Sequence, residues 1–224
     1  MKMIFFKKNS FRVAVGYDWF YDELDNAQRR KIEDGLFRCG LNASLSCYSY
    51  NCTWTPGIKN GGRCASCWWT RAVHMNWNVV CNGGTIFAAL ALGDVPRYKG
   101  SAAVALDFAK EGIPFAISGY TDGAWPEGPG YWSYITKWLL ATTEALTTAT
   151  ADDYGFMDTP GVDKTGNYAI QMYLTPSRDV FNYGDTPDST LDTQVGSNLL
   201  GLADRFPGLG EAIVGAAHSA IVTP

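Results

Sequence analysis

Apolar residues recur with helical spacing through most of this chain, while strand-like alternation is short and scarce. That property disfavours α/β sheets with regular crossovers and points to an all-α architecture. Residues 12–21 read as a buried apolar helix. Asp25 then caps a charged helix over 28–41 that carries Ile32, Leu36 and Phe37 on one face. Further helices are expected over 76–92, ended by Gly93 and Pro96, over 102–117 in spite of Gly112 and Pro114, and over 131–149. The stretch 152–185 reads as turns and short extended pieces. Helical signal returns at 191–206 and 209–221. Successive helices of similar length, without a repeat of sequence, suggest helical hairpins paired around an axis.

Several functions are disfavoured at once. The 224 residues carry 18 Lys and Arg against 22 Asp and Glu, with two His, for a net charge of −4. Phosphate backbones are bound by clustered positive charge, so nucleic acid is not an expected partner. The longest apolar run, 85–92, is far short of the roughly 18–20 residues of a membrane span. No Gly-x-Gly-x-x-Gly follows a strand, and neither a phosphate-binding Walker loop nor a Gly-x-Ser-x-Gly elbow is present. No cofactor or metal is implied. The segment 1–10 places Ile-Phe-Phe before Lys-Lys, the reverse of a signal peptide's charge order, and runs directly into a foldable segment. The expectation is a piece of a longer protein.

All six cysteines fall between Cys39 and Cys81. Cys47, Cys52, Cys64 and Cys67 lie in a polar, Gly-rich insertion spanning about 42–70. Four thiolates with one Cys-x-x-Cys suit a structural zinc, but the other pair is spaced Cys-x4-Cys and no His joins it. The alternative is a pair of disulfides stapling a long loop in an oxidising compartment, secreted or lumenal. Two glycosylation sequons, at Asn42 and Asn51, fall in or beside the same segment and favour the disulfides. Cys39 and Cys81, flanked by helical apolar patterns, read as buried thiols.

Two other segments carry chemistry. In Asn76-Trp-Asn-Val-Val-Cys-Asn-Gly-Gly84, three amides and Trp77 open an apolar helix. Asn side chains there either cap free N–H groups or, with the helix's positive end, hold a carboxylate. In Asp122-Gly-Ala-Trp-Pro-Glu-Gly-Pro-Gly-Tyr-Trp-Ser-Tyr134, a Gly/Pro turn delivers Trp125, Glu127, Tyr131, Trp132 and Tyr134 to the start of another helix. Tyr131 and Tyr134, three apart, suit core packing as well as chemistry. Glu127 could simply favour a helix N-terminus. Eight Trp, 12 Tyr and 11 Phe can fill a core or stack on sugar faces, and composition does not choose between these uses.

Together with Val15-Gly-Tyr-Asp-Trp-Phe-Tyr21 and Phe181-Asn-Tyr-Gly-Asp185, these segments resemble the heparinase II/III-like polysaccharide lyases. That group takes in alginate lyases and looks related to dermatan-sulfate epimerase. In order and spacing the resemblance covers about 13–185. It implies an (α/α) toroid, of which residues 1–224 would supply an incomplete part, with the family's antiparallel β-domain lying outside this chain. It also implies β-elimination at a uronic acid, with acidic polysaccharide as partner, alongside the remaining toroid and β-domain segments. By position Asn76, with Asn78 as fallback, matches the Asn that neutralises the uronate carboxylate, and Tyr131 matches the Tyr that moves protons. The chain departs from the pattern where many such lyases have His directly after that Asn, because Trp77 stands there. His74, two residues earlier, is the candidate substitute, although a surface or core role suits it too. Trp77, Asn78, Trp125, Glu127, Trp132 and Tyr134 are the candidate substrate-binding residues.

Three readings follow from different classes. The chain belongs to a uronate lyase or C5-epimerase, or it is a catalytically silent carbohydrate-binding or structural subunit of an extracellular assembly. The third is an all-α scaffold whose Asn and Tyr motifs only cap helices.

Overall fold

The computed structural model of the chain describes residues 2–49, 67–173, 180, 181, 183, 184 and 193–222. Cys52, Cys64 and Asn51 lie outside them. The described residues are helical and contain no strand. In chain order the helices are α1 (Lys2–Trp19), α2 (Asn26–Gly35), α3 (Asn42–Tyr48), α4 (Asn76–Leu92), α5 (Lys99–Ile117), α6 (Pro129–Thr150), α7 (Thr165–Tyr173), α8 (Thr193–Arg205) and α9 (Leu209–Val222). No helix among the described residues is long and apolar enough to cross a membrane. The chain forms two compact units. One contains 1–72, 77–113 and 148–151, and the other contains 73–76, 114–147 and 152–224.

In the first unit, α2 begins as its sequence dictates. The Asp25 side chain accepts from the N–H groups of Ala27 and Gln28, and the Gln28 side chain accepts from the Asp25 N–H, closing a capping box. The helix expected over 28–41 stops being α-helical after Gly35. Leu36–Leu41 forms a π-helical stretch that runs on into α3. Such wide turns are rare and are not visible in hydrophobic spacing. Small residues then set the packing: Ala14, Ala88, Ala89, Ala102 and Ala105 close around Leu36, Leu41 and Leu92. Tyr17 of α1 donates to Glu33 of α2 at 2.7 Å, and Arg97 meets the same carboxylate at 2.6 Å and Asp34 at 3.1 Å. Burial, and then that bond to Glu33, pushes the Tyr17 hydroxyl well above its ordinary range.

Cys47 and Cys67 are joined by a disulfide with their Cα atoms 5.0 Å apart. The bond sits in a cluster with Ala43, Trp69 and Cys81, which is outside any disulfide, and Trp77 and Tyr48 pack against this cluster. Cys81 is buried as expected, whereas the free thiol of Cys39 is half-buried. Asn42 is the half-buried first residue of α3, and Ser44, the hydroxyl residue of its sequon, is fully buried against Thr85 at 2.7 Å. Replacing both bonded cysteines by alanine is expected to cost about 3 kcal/mol, since the bond closes a separation of 20 residues in the unfolded chain. Urea denaturation of the variant beside the unaltered protein measures this, and coincident midpoints would refute it.

In the second unit, α6 begins with Pro129 at its first turn, where a missing N–H costs nothing. Trp132 on α6 is fully buried against Tyr168 and Tyr173 of α7, both ring centroids lying at 6.1 Å. Its indole N–H donates to Thr165 at 2.6 Å, and the Thr165 hydroxyl donates to the Gly123 carbonyl at 2.7 Å. Asn198 of α8 donates to the Ser133 carbonyl of α6 at 2.7 Å. The helix α7 corrects the expectation of turns and extended pieces through 152–185. It has only nine residues, and its buried set of Thr165, Tyr168, Ala169 and Tyr173 becomes a helical face only once Trp132 is there to receive it.

Candidate functional site

Asn76 opens α4, so its backbone N–H has no partner within the helix and points out of the helix's positive end. The partner comes from the turn before α6. The Asn76 N–H donates to Oε2 of Glu127 at 2.6 Å, and Nδ2 of the same residue lies 2.9 Å from both Oε1 and Oε2. The indole N–H of Trp125 reaches Oε2 at 3.1 Å. One carboxylate thus accepts from a helix start, an amide side chain and an indole, an arrangement suited to holding negative charge. Asn76 is 1% exposed, and its Oδ1 has no hydrogen-bond partner.

The backbone that carries Glu127 is fixed from several sides. Gly128 has φ of +97°, a left-handed conformation that favours glycine, and its N–H donates to the Trp125 carbonyl at 3.1 Å. Gly184 also lies in the left-handed region, at φ +69°, and a Cβ there would stand 2.7 Å from the Glu127 carbonyl oxygen. Its neighbour Tyr183 donates to the Trp125 carbonyl at 2.7 Å. Tyr168 lies 2.9 Å from the Tyr183 hydroxyl, and because Tyr183 gives its own proton to Trp125, Tyr168 is the donor in that pair. Burial, and then that hydrogen bond, pushes the Tyr168 hydroxyl well above its ordinary range. His74 and Asn76, the turn from Trp125 to Gly128, and Tyr183 with Gly184 therefore meet in one place.

Beside them is a pocket of about 180 Å³ lined by His74, Gly119, Thr121, Trp125, Pro126 and Tyr183. His74 is exposed and adopts a left-handed φ of 58°. Tyr120, packed on Trp125 with centroids 5.0 Å apart, is fully buried, and burial raises its hydroxyl pKa above the ordinary range.

The other sequence-derived candidates are distributed differently. Tyr131 and Tyr134 are half-buried in the first turns of α6. Trp125 and Trp132 have no exposed surface. Trp77 is half-buried against the cluster that holds the disulfide. Asn78 has no exposed surface either. Its amide donates to the Ala72 carbonyl at 3.3 Å and its oxygen accepts from Asn82 at 2.9 Å, while the Asn82 oxygen accepts from Tyr48 at 2.6 Å. Of the three amides that open α4, one meets a carboxylate and two belong to a buried polar network. Tyr183 was not among the candidates although it lies in the quoted 181–185 segment. No group of three or more metal-ligating side chains occurs among the described residues. The chain matches no protein-family model and no curated protein.

Proposed function

We propose that this chain is a polysaccharide lyase-like domain, part of an (α/α) toroid of the heparinase II/III type, acting on uronic-acid-containing polysaccharide by β-elimination. The observation that carries this reading is the carboxylate held by Asn76 and the start of α4. A uronate carboxylate needs the same donors as charge builds on it when the C5 proton leaves. On this reading Asn76 stabilises that enolate-like state, with His74 at the pocket beside it. Tyr131 exchanges protons at the reacting bond: the C5–H electron pair becomes the C4–C5 double bond, the C4–O bond breaks, and the departing oxygen takes a proton. Trp125, Trp132 and Asn78, being buried, serve by fixing the framework, whereas the half-buried Trp77, Tyr131 and Tyr134 offer ring surface. The Cys47–Cys67 disulfide supports an oxidising, secreted or lumenal setting.

A second reading, a catalytically silent carbohydrate-binding or structural subunit, draws on the fact that the Asn76 donors are already engaged by Glu127. The deciding experiment uses the full-length protein on several polyuronates and follows the ultraviolet absorbance of unsaturated uronate. Asn76→Ala is expected to reduce turnover by about 10²–10³-fold, as loss of an oxyanion-type donor does. Glycan binding by the unaltered protein with no elimination or epimerisation on any polymer would overturn the enzyme reading in favour of the silent one.

A further inference from the structure

We propose that the Cys47–Cys67 disulfide and Cys81 form an internal exchange site, in which the Cys81 sulfur replaces Cys67 as the partner of Cys47. All three residues belong to the first unit, and such a site does not depend on the function proposed above. Two side-chain pairs set the register between α3 and α4. The hydroxyls of Ser44 and Thr85 meet at 2.7 Å, and Tyr48 donates to Asn82 at 2.6 Å. Later residues of α3 thus face earlier residues of α4, and the two helices run antiparallel. One turn on from Ser44, along the same face of α3, is Cys47. One turn back from Thr85, along the same face of α4, is Cys81. The two cysteines therefore stand level with each other, and both belong to the buried cluster that holds Cys67 and Trp69.

Burial makes the exchange internal. Cys47 is 1%, Cys67 5% and Cys81 0% exposed, so a dissolved thiol has little access to the bond. Cys81, which is outside any disulfide, is already packed in the same cluster. Attack follows the usual course of thiol–disulfide exchange. The Cys81 thiol gives up its proton and its sulfur bonds to Sγ of Cys47. The Cys47–Cys67 bond breaks, and Cys67 leaves with the electron pair and takes up a proton. One disulfide and one thiol are present before and after, so no oxidant or reductant is consumed. What changes is the crosslink. The Cys47–Cys67 bond ties α3 to the short turn Trp68–Arg71, whereas a Cys47–Cys81 bond ties α3 to α4 and releases that turn from its covalent tether. Trp69, with no exposed surface, and the 3.3 Å bond from Asn78 to the Ala72 carbonyl still hold the turn, so the released state stays folded.

The test is peptide mapping by mass spectrometry of the full-length protein after its thiols are alkylated with N-ethylmaleimide. The folded protein is first held, without added thiol or oxidant, at pH values from about 7 to about 9, which bracket the ordinary thiol range. A peptide pair joined through Cys47 and Cys81 is expected to appear, with alkylated Cys67 in equal yield. Both should rise by about tenfold or more across the series, because the thiolate is the attacking species. Cys81→Ser should abolish both. In a second arm, Cys67→Ala treated with oxidised glutathione is expected to form the Cys47–Cys81 bond in most molecules. Should that variant not fold, the pH series of the unaltered protein decides alone. Absence of a Cys47–Cys81 bond in the folded protein at every pH, or its appearance only after denaturation in urea, overturns the inference. A bond from Cys81 to Cys67 in place of Cys47 overturns the register assigned to α3 and α4. Cys67 alkylation that persists in Cys81→Ser would assign the release to a different thiol and overturn the role of Cys81.

Discussion

Tyr131→Phe in the full-length protein is expected to lower elimination turnover by about 10²–10⁴-fold, the usual contribution of a positioned proton-transfer group. Polysaccharide affinity should stay nearly unchanged. The hydroxyl acts only while a proton moves, so its loss raises the transition state and spares the bound ground state. The backbone that carries the ring is placed by Pro129 and Gly128 before it and by the buried Trp132 after it. Parallel measurement of initial rates and of binding separates the outcomes. A variant that keeps its rate would remove Tyr131 from the reaction, and a proportional loss of affinity and rate would make its role one of substrate binding.

Trp132→Ala is expected to have the largest effect on stability, about 3–5 kcal/mol, the range for emptying a large aromatic site. For a chain of this size that corresponds to a fall in Tm of roughly 6–20 °C. Two losses combine. The ring that Tyr168 and Tyr173 pack against disappears, and the Thr165 hydroxyl loses the 2.6 Å hydrogen bond from the indole. Trp132→Phe separates them, because it keeps most of the ring volume and removes only the donor, so it should cost clearly less. A thermal melt of Trp132→Ala that matches the unaltered protein would show that the core of the second unit does not depend on this ring.

What could be read in advance depended on whether the deciding interaction was local. The α4 boundaries and the Asp25 cap follow from nearby residues: a side-chain oxygen at the helix start, an apolar run, and Gly93 with Pro96 at the end. The helix α7 did not announce itself, because its apolar face is completed by Trp132, more than thirty positions earlier. At the site, an amide at a positive helix end left two readings open for Asn76, a cap for free N–H groups or a partner for a carboxylate. That the carboxylate present is Glu127 was not legible, since the pairing spans 51 positions. Sequence equally could not assign the tryptophans to core or surface, because the same ring suits either place. Trp125 and Trp132 are buried, and Trp77 is half-buried beside the sulfur cluster.

The wide turn at Leu36–Leu41 has a consequence for which insertions and deletions this region can accept. A π-type turn takes up one residue more than an α-turn, and each residue of an α-helix accounts for about 100° of rotation. Loss of a single residue there would restore a regular spiral and leave everything downstream facing as before, whereas loss of a second would swing it around its axis by about that angle. Ser44 would then turn away from Thr85, and Cys47 would no longer face Cys67. The length of this segment, more than the identity of any residue in it, is thus coupled to the disulfide that Cys47 forms further along the chain.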